Sequence, residues 1–332
     1  MTVFGPGVLL PRAGESRPSL SVVVPCFNEE ACLHDLYART SKTAAAVVGD
    51  DYEIVLVNDG SRDGTLRVMR ELADRDPRLV VVNLSRNYGH QLALTAGLTI
   101  CRGARILIID ADLQDPPELL VQMMAIMDEG SDVVYGQRRY RAGETVFKRA
   151  SATLFYRLLR KLADIDIPAD SGDFRLISRR ALDVLIAMPE RFRFTRGLVS
   201  WIGFRQEPIL YDRDPRHAGG TGYSFRKMTR LALDAITSFS VMPLRIASFC
   251  GVFTAFCSLV ALCYTIGSWL LGVAVPGWTS LITVVLILSS VQLLVLGVIG
   301  EYLGRLFIES KHRPLFVIES IYVSSRDPEK SA

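Results

Sequence analysis

The stretch RILIIDADLQDPPE (residues 105–118) decides the fold of this chain. Its first half is an apolar run typical of a buried strand, and the run ends in two aspartates, Asp110 and Asp112, separated by one residue. Two prolines follow, Pro116 and Pro117, and proline is favoured in the first turn of a helix. The stretch therefore predicts a strand that ends in two carboxylates and leads into a helix.

Other apolar runs on both sides of this stretch alternate with helical patterns. We expect strands at LSVVVP (20–25), YEIVLVND (52–59), 79–83 and 132–136, and helices over 29–48, from near residue 63, and over 89–101. Apolar strands with helices between them indicate a parallel sheet that is covered on both faces. Ligands of such sheets bind beyond the carboxyl ends of the strands. The sequence therefore predicts one crevice at that edge.

The two aspartates indicate a cation site. Carboxylates held close together repel each other, so a site that holds both usually binds a cation. Mg²⁺ and Mn²⁺ prefer oxygen ligands, and Mg²⁺ is commonly held by one or two carboxylates together with substrate phosphates. We expect Asp110 and Asp112 to bind Mg²⁺ or Mn²⁺ on a diphosphate. The alternative is an ordinary loop, because the Asp-x-Asp pattern also occurs there.

Polar residues also follow the first two predicted strands. In VNDGSRDGT (57–65), Asp59 could accept hydrogen bonds from a base or a ribose, and the alternative is a turn that uses Asp and Gly for its geometry. In PCFNEE (25–30), Pro25 and Phe27 could pack on a nucleobase, and Glu29 suits a helix N-terminus. The alternative there is simple helix capping.

The C-terminal part of the chain has a different composition. No charged residue occurs from 246 to 300, and a membrane-spanning helix needs roughly 20 apolar residues. We expect two spans, 244–273 and 281–303, joined by the turn GVAVPGWTS (272–280). Basic residues flank the spans and are absent from the turn, which predicts that the N-terminal domain and both termini are cytoplasmic at the inner membrane. Buried helices of a soluble protein are the alternative.

These patterns predict the domain organisation. We expect a flexible tail without a signal peptide (1–18), an α/β domain (19–222), an amphipathic juxtamembrane segment (223–243), two spans (244–303) and a C-terminal segment (304–332). Within the last, RPLFVIES (313–320) predicts a strand that could join the main sheet or pair with a neighbouring subunit in a homo-oligomer. The six cysteines lack metal or redox spacing, and the net charge of +3 gives no reason to expect nucleic acid.

An ordered set of motifs resembles a known family. The motifs are SVVVPCFNEE (21–30), VNDGSRDGT (57–65), SRNYGHQLALTAG (85–97), DADLQDPPE (110–118) and SGDFRLISRRAL (171–182). In this order they resemble glycosyltransferase family 2. The stretch 216–245, followed by two spans, is similar to the polyprenyl-phosphate branch of that family, which includes dolichol-phosphate mannose synthases and bactoprenol glucosyltransferases. The resemblance extends from about residue 21 to residue 318.

The resemblance implies a GT-A fold, which is Rossmann-like, and it implies roles for individual residues. The nucleotide-sugar pocket would be lined by Pro25, Phe27, Glu29, Val57, Asp59, Asp110, Ala111, Gln114 and Arg216. Asp110 and Asp112 would bind the metal, and the residues at the reaction centre would be Asp112, Arg138 and Asp173. The phosphate of the lipid would be held by Arg138, Lys148 and Arg149. Gly222 stands where relatives often carry a lysine, so that phosphate contact is missing.

The implied activity is an inverting, metal-dependent transfer of a sugar, with glucose as first choice, from a UDP-sugar to undecaprenyl or another polyprenyl phosphate. A processive polysaccharide synthase of the same fold is one alternative, but it would carry more spans and a Gln-x-x-Arg-Trp motif, which the sequence lacks. A non-catalytic membrane scaffold that binds nucleotide-sugars is the other, and the intact acids argue against it. His90 and His217 have no second ligand at metal spacing. His90 could contact substrate, although we favour a structural role for it, and His217 could contact phosphate.

Overall fold

A computed structural model describes residues 3–4, 17–139, 171–212, 240–271 and 277–324. The chain divides into two compact units. The first comprises Met1–Tyr156, Ile165–Tyr223 and Arg313–Ala332, and the second comprises Arg157–Asp164 and Ser224–His312. Outside the described residues lie Lys148, Arg149, Arg216, His217 and Gly222, together with most of the predicted tail and juxtamembrane segment.

The first unit is built on one sheet, and the α/β class expected from the sequence is confirmed. Its strands within the described residues are β1 (Val3–Phe4), β2 (Leu20–Cys26), β3 (Tyr52–Asn58), β4 (Leu79–Leu84), β5 (Arg105–Ile108), β6 (Val133–Arg138), β7 (Ser171–Ser178), β8 (Gln206–Tyr211) and β9 (Val317–Val323). They lie in the order β1-β9-β4-β3-β2-β5-β7-β6-β8. The side chains of β2, β3 and β4 are buried throughout, which explains why their sequences are mostly apolar.

The expectation of a parallel sheet holds for the central strands, but the sheet as a whole is mixed. β4, β3, β2 and β5 run parallel to one another, but β7 is antiparallel to β5 and β6, and β9 is antiparallel to β4. A strand buried on both faces has the same apolar composition in either direction, so its sequence does not report which way it runs. The C-terminal strand, predicted at 313–320, pairs with β4 of the same chain.

Helices cover the sheet. Those of the first unit are α1 (Leu33–Val48), α2 (Thr65–Arg75), α3 (His90–Ile100), a 3₁₀ turn (Pro117–Leu119) that leads into α4 (Leu120–Asp128), α5 (Arg179–Ala187) and α6 (Thr195–Ile202). The proline at the start of the 3₁₀ turn agrees with the predicted helix start.

The first helix begins later than its sequence predicts, at Leu33 and not at residue 29. Asn28 adopts a left-handed backbone with φ of 58°. The N–H group of Glu29 donates to Thr65 Oγ1 at 2.9 Å, and that of Glu30 lies 3.4 Å from Asp63 Oδ2. These residues therefore form a loop that is bound to the loop after β3, not the first turn of a helix.

Gly97 allows α3 to approach the sheet closely. A Cβ atom at this position would lie 2.5 Å from Val23 Cγ1 and 2.8 Å from Val57 Cγ2, which is closer than carbon atoms can pack. Both valines are fully buried in the central strands. The glycine is therefore required for the contact between α3 and the middle of the sheet.

We expect Gly97→Ala to lower the free energy of unfolding by about 1–3 kcal/mol, because the new methyl group overpacks this contact. At an unobstructed helix position the same change would raise stability by about 1 kcal/mol. Chemical denaturation of the detergent-solubilised protein measures the difference, with Thr99→Ala on the same helix as the control. A more stable Gly97→Ala variant would show that α3 does not depend on this close approach.

The second unit contains two long apolar helices, α7 (Met242–Leu270) and α8 (Trp278–Ser310). Met242–Ser268 and Thr283–Ser310 are long and apolar enough to cross a membrane, with mean hydropathies of 2.2 and 2.4. In an 18-residue window of each stretch, only 6% of the first and 0% of the second is buried. Helices this apolar and this exposed are not the buried core of a soluble domain, and they indicate association with a membrane.

Candidate active site

The loops that follow β2 and β3 are bonded to each other at the carboxyl edge of the sheet. The N–H group of Asn28 donates to Ser61 Oγ at 3.0 Å, and the N–H group of Arg62 donates to Asn28 Oδ1 at 2.8 Å. The N–H group of Ser61 donates to Asn58 Oδ1 at 3.2 Å. The two motifs that the sequence singled out here therefore form one connected rim.

Asp59 binds the loop that leads into α3. Its carboxylate accepts the N–H groups of Tyr88 at 2.7 Å and Gly89 at 2.9 Å, and the side chain of Asn87 donates to its carbonyl oxygen at 3.1 Å. Burial raises the pKa of Asp59, and the two backbone N–H groups oppose that rise. The sequence predicts contact with a base or ribose, whereas the structure shows both carboxylate oxygens bound to protein backbone.

The aspartate pair stands directly beyond β5. Burial raises the pKa of Asp110 to about 6; the charge of His90 opposes this rise, and the nearby carboxylates of Asp173, Asp115 and Asp112 add to it. The N–H group of Gln114 donates to Asp112 Oδ1 at 3.2 Å. Between these two residues Leu113 is left-handed, with φ of 57°, a backbone conformation that is uncommon outside glycine.

Asp173 on β7 is a buried anion surrounded by donors. Gln91 Nε2 donates to its Oδ2 at 2.8 Å, His90 Nε2 lies 3.3 Å from the same oxygen, and Arg196 Nε lies 3.2 Å from Oδ1. Burial alone would raise the pKa of Asp173, but the charges of Arg196 and His90 hold it well below its usual range. The acid is therefore ionised at neutral pH.

His90, the first residue of α3, connects the two acidic positions. Its Nε2 is 3.5 Å from Asp110 Oδ1 and 3.3 Å from Asp173 Oδ2. Burial would lower the pKa of His90, but the hydrogen bond to Asp173 and the charges of both acids raise it to about 9. The structure thus brings His90 to the candidate site, where the sequence interpretation gave it a structural role. The sequence contained one indication of this location, because His90 follows β4 and therefore lies at the same edge of the sheet as the acids.

Arg138 ends β6 beside a second acidic group. Tyr211 donates its hydroxyl hydrogen to Asp115 Oδ1 at 2.5 Å, and Arg138 Nε lies 3.5 Å from the same hydroxyl oxygen. Burial would lower the pKa of Arg138, but Tyr211, Asp115 and Asp110 outweigh burial and raise it. Arg138 is therefore a partly buried cation near the aspartate pair.

The residues at this edge suit a divalent cation that takes its remaining ligands from a substrate. Asp110 Oδ1 is buried and accepts no hydrogen bond from the described part of the chain. In the same part of the chain, no cluster of three His, Cys, Asp or Glu side chains forms a metal site by itself. Two carboxylates without a third protein ligand suit Mg²⁺, which commonly takes its remaining ligands from water and substrate phosphates.

The other residues assigned to the nucleotide-sugar pocket differ in exposure. Phe27 is 44% exposed and available for contact. The Val57 side chain is fully buried beneath α3, so only its backbone could border a pocket. Pro25 and Ala111 are buried, and Glu29 is half-buried at the rim. The described residues of the predicted pocket thus lie at one edge of the sheet, but the side chains of some of them are buried and not exposed at that edge.

Comparison with known proteins gives concordant results. Residues 21–186 match the family model described as Glycosyl transferase family 2. A Bacillus subtilis (strain 168) protein named uncharacterized glycosyltransferase YkcC is 45% identical over 91% of this chain and 94% of its own length. A bactoprenol glucosyl transferase of Shigella phage SfV is 38% identical over 91% of this chain and 98% of its own length.

A third relative is the prophage bactoprenol glucosyl transferase homolog of Escherichia coli (strain K12), which is 38% identical over 91% of this chain and 99% of its own length. Because these relatives are aligned over nearly all of both chains, they match the protein as a whole and not one domain of it. The matched family model covers the strands that carry the aspartate pair and Asp173. The chain belongs to glycosyl transferase family 2.

Proposed function

We propose that this protein transfers a hexosyl group, with glucose as first choice, from a UDP-sugar to a polyprenyl phosphate at the cytoplasmic face of the membrane. The observation that carries the proposal is the alignment with bactoprenol glucosyl transferases over 91% of the chain. That length must include at least part of the two apolar helices, which a soluble acceptor would not require. The acidic strand edge supports the chemistry.

The donor diphosphate would lie against Asp110 and Asp112, with Mg²⁺ or Mn²⁺ between protein and phosphates. When bound, the cation neutralises the negative charge that develops on the departing nucleoside diphosphate. The nucleoside would occupy the rim with Phe27, Glu29 and the backbone beside Asp59, and Gln114 would stand near the phosphates. Arg216, which lies outside the described residues, would add a bidentate contact to the diphosphate.

The acceptor would be the phosphate group of the lipid. One of its oxygens forms a bond to the anomeric carbon while the bond from that carbon to the UDP oxygen breaks, and UDP leaves with the electron pair. Attack opposite the leaving group inverts the configuration, so an α-linked donor gives a β-linked product. The acceptor phosphate is already largely anionic near neutral pH, so the reaction depends mainly on position and charge.

Cationic side chains would hold the lipid phosphate. The partly buried guanidinium of Arg138, which interacts electrostatically with Asp110, supports this role for Arg138. Lys148 and Arg149, which lie outside the described residues, would complete the phosphate site. The lipid tail would remain in the bilayer beside α7 and α8, and the basic residues that flank these helices support a cytoplasmic position for the sheet domain.

The test is transfer of label to lipid. The detergent-solubilised protein is incubated with Mg²⁺, undecaprenyl phosphate and a panel of radiolabelled UDP-sugars, and label in the organic phase is counted. We expect label from UDP-glucose, and loss of that label with EDTA that excess Mg²⁺ or Mn²⁺ reverses. Binding of UDP without transfer from any donor would contradict the proposal and favour a non-catalytic scaffold. Transfer that continues in EDTA would contradict the metal.

A further inference from the structure

Gln91 joins two elements that are far apart in the sequence. Its Nε2 donates to Asp173 Oδ2 at 2.8 Å, and its Oε1 accepts the N–H group of Thr195 at 3.1 Å. Thr195 is the first residue of α6, and Asp173 lies on β7. One side chain at the start of α3 therefore binds both a buried acid and the end of another helix.

The contact with Thr195 gives the first turn of α6 a hydrogen-bond acceptor that the helix lacks. The N–H groups in the first turn of a helix have no partner within the helix, and a side chain at the N-cap usually supplies one. The N-cap of α6 is Phe194, which has no acceptor on its side chain. Gln91 Oε1 supplies that acceptor from outside the helix, and it thereby fixes the turn that carries Arg196.

Gln91 therefore controls both oxygens of Asp173. It binds Oδ2 directly, and through Thr195 it holds the helix whose Arg196 lies 3.2 Å from Oδ1. Oδ2 is also the oxygen that faces His90. Rotation of the carboxylate would break these contacts together, and it would release the imidazole from its place beside Asp110.

We propose that Gln91 is a positioning residue for sugar transfer, which fixes the carboxylate of Asp173 and, through it, the imidazole of His90 at the Asp110 edge. The inference rests on the proposed function. An amide is required because one end must donate to a carboxylate while the other accepts from a backbone N–H. Glutamate could still accept from Thr195, but it would set a second carboxylate against Asp173.

The first test compares Gln91→Glu and Gln91→Met in the lipid transfer assay. We expect kcat to fall about 100-fold in Gln91→Glu, as for other misplaced reacting groups, and to fall less in Gln91→Met, while KM for the UDP-sugar changes little. Gln122→Glu, on the exposed face of α4, makes the same chemical change away from the site and should match the unchanged protein. A kcat for Gln91→Glu close to that of the unchanged protein would overturn the inference.

The second test does not depend on activity. Gln91→Glu and Asp173→Asn should each lower the unfolding midpoint, and the double variant should lose less than the sum of the two single losses, because the exchanged pair again joins an amide to a carboxylate. Strictly additive losses would overturn the inference. If the unchanged protein transfers no sugar, the proposed function fails, and the non-additivity of these two losses still decides whether Gln91 holds position 173.

Discussion

Changing Asp112 to asparagine should lower the rate of sugar transfer by about 1,000-fold, equivalent to ~4 kcal/mol of activation free energy. The substitution keeps the shape of the side chain and removes the charge that would bind the cation on the diphosphate. Because the cation would neutralise the additional negative charge that develops as UDP leaves, the loss should appear in kcat. Transfer of label to undecaprenyl phosphate measures it.

The control is Asp35→Asn, which removes a carboxylate from the exposed face of α1 and should leave transfer unchanged. Extra Mn²⁺ should restore little activity to Asp112→Asn, since the ligand itself is missing. Near-normal transfer by the Asp112 variant would remove this residue from the metal site. An equal loss in the Asp35 variant would mean that the assay reports surface charge.

Replacing Asp173 with alanine should abolish transfer and also destabilise the sheet domain by about 3–5 kcal/mol, the usual cost of removing one partner of a buried ion pair. The reason is that Arg196 and His90 would lose their buried anion. Arg175 would be affected as well: burial already lowers its pKa to about 10, and the charge of Asp173 opposes that fall. Chemical denaturation measures the stability, and the lipid assay measures the activity.

Asp183→Ala is the control for this loss, because its carboxylate is exposed and, among the described residues, forms only a long surface pair with Arg179 at 3.7 Å. It should change stability little. An Asp173→Ala variant that is inactive but as stable as the unchanged protein would show that Arg196 and His90 do not depend on this acid for their place in the fold.

The sequence predicts the central part of the fold because burial on both faces leaves a direct signal. β2, β3 and β4 are nearly continuous apolar runs, and the polar residues that follow them, such as Asp59, can be identified from the sequence. β7 carries Asp173 and Arg175 within its strand, and β8 is only half-buried. Their mixed composition gives no such signal, so neither strand was predicted.

The network around Asp173 could not be predicted for a different reason. Gln91 and Asp173 are 82 residues apart, and Gln91 and Thr195 are 104 residues apart. No local pattern specifies such contacts, which exist only because the sheet places β7 beside β5 and α3 above β2 and β3. His90 and Arg196 have ordinary local interpretations as a helix start and a surface arginine. The family resemblance identified Asp173, but the donors around it follow from topology alone.

The position of β9 has a consequence for how the protein is made. The strand is encoded after both apolar helices, yet it pairs with β4, and its Glu319 accepts a hydrogen bond from Asn83 at 2.7 Å. Asn83 in turn accepts one from Asn58, at the end of β3. On the ribosome, β4 must therefore wait with an unpaired edge until both hydrophobic segments have been synthesised. The nascent domain is exposed to wrong strand pairing during that interval, and the hydrogen bonds that connect Asn58, Asn83 and Glu319 are completed only when β9 emerges.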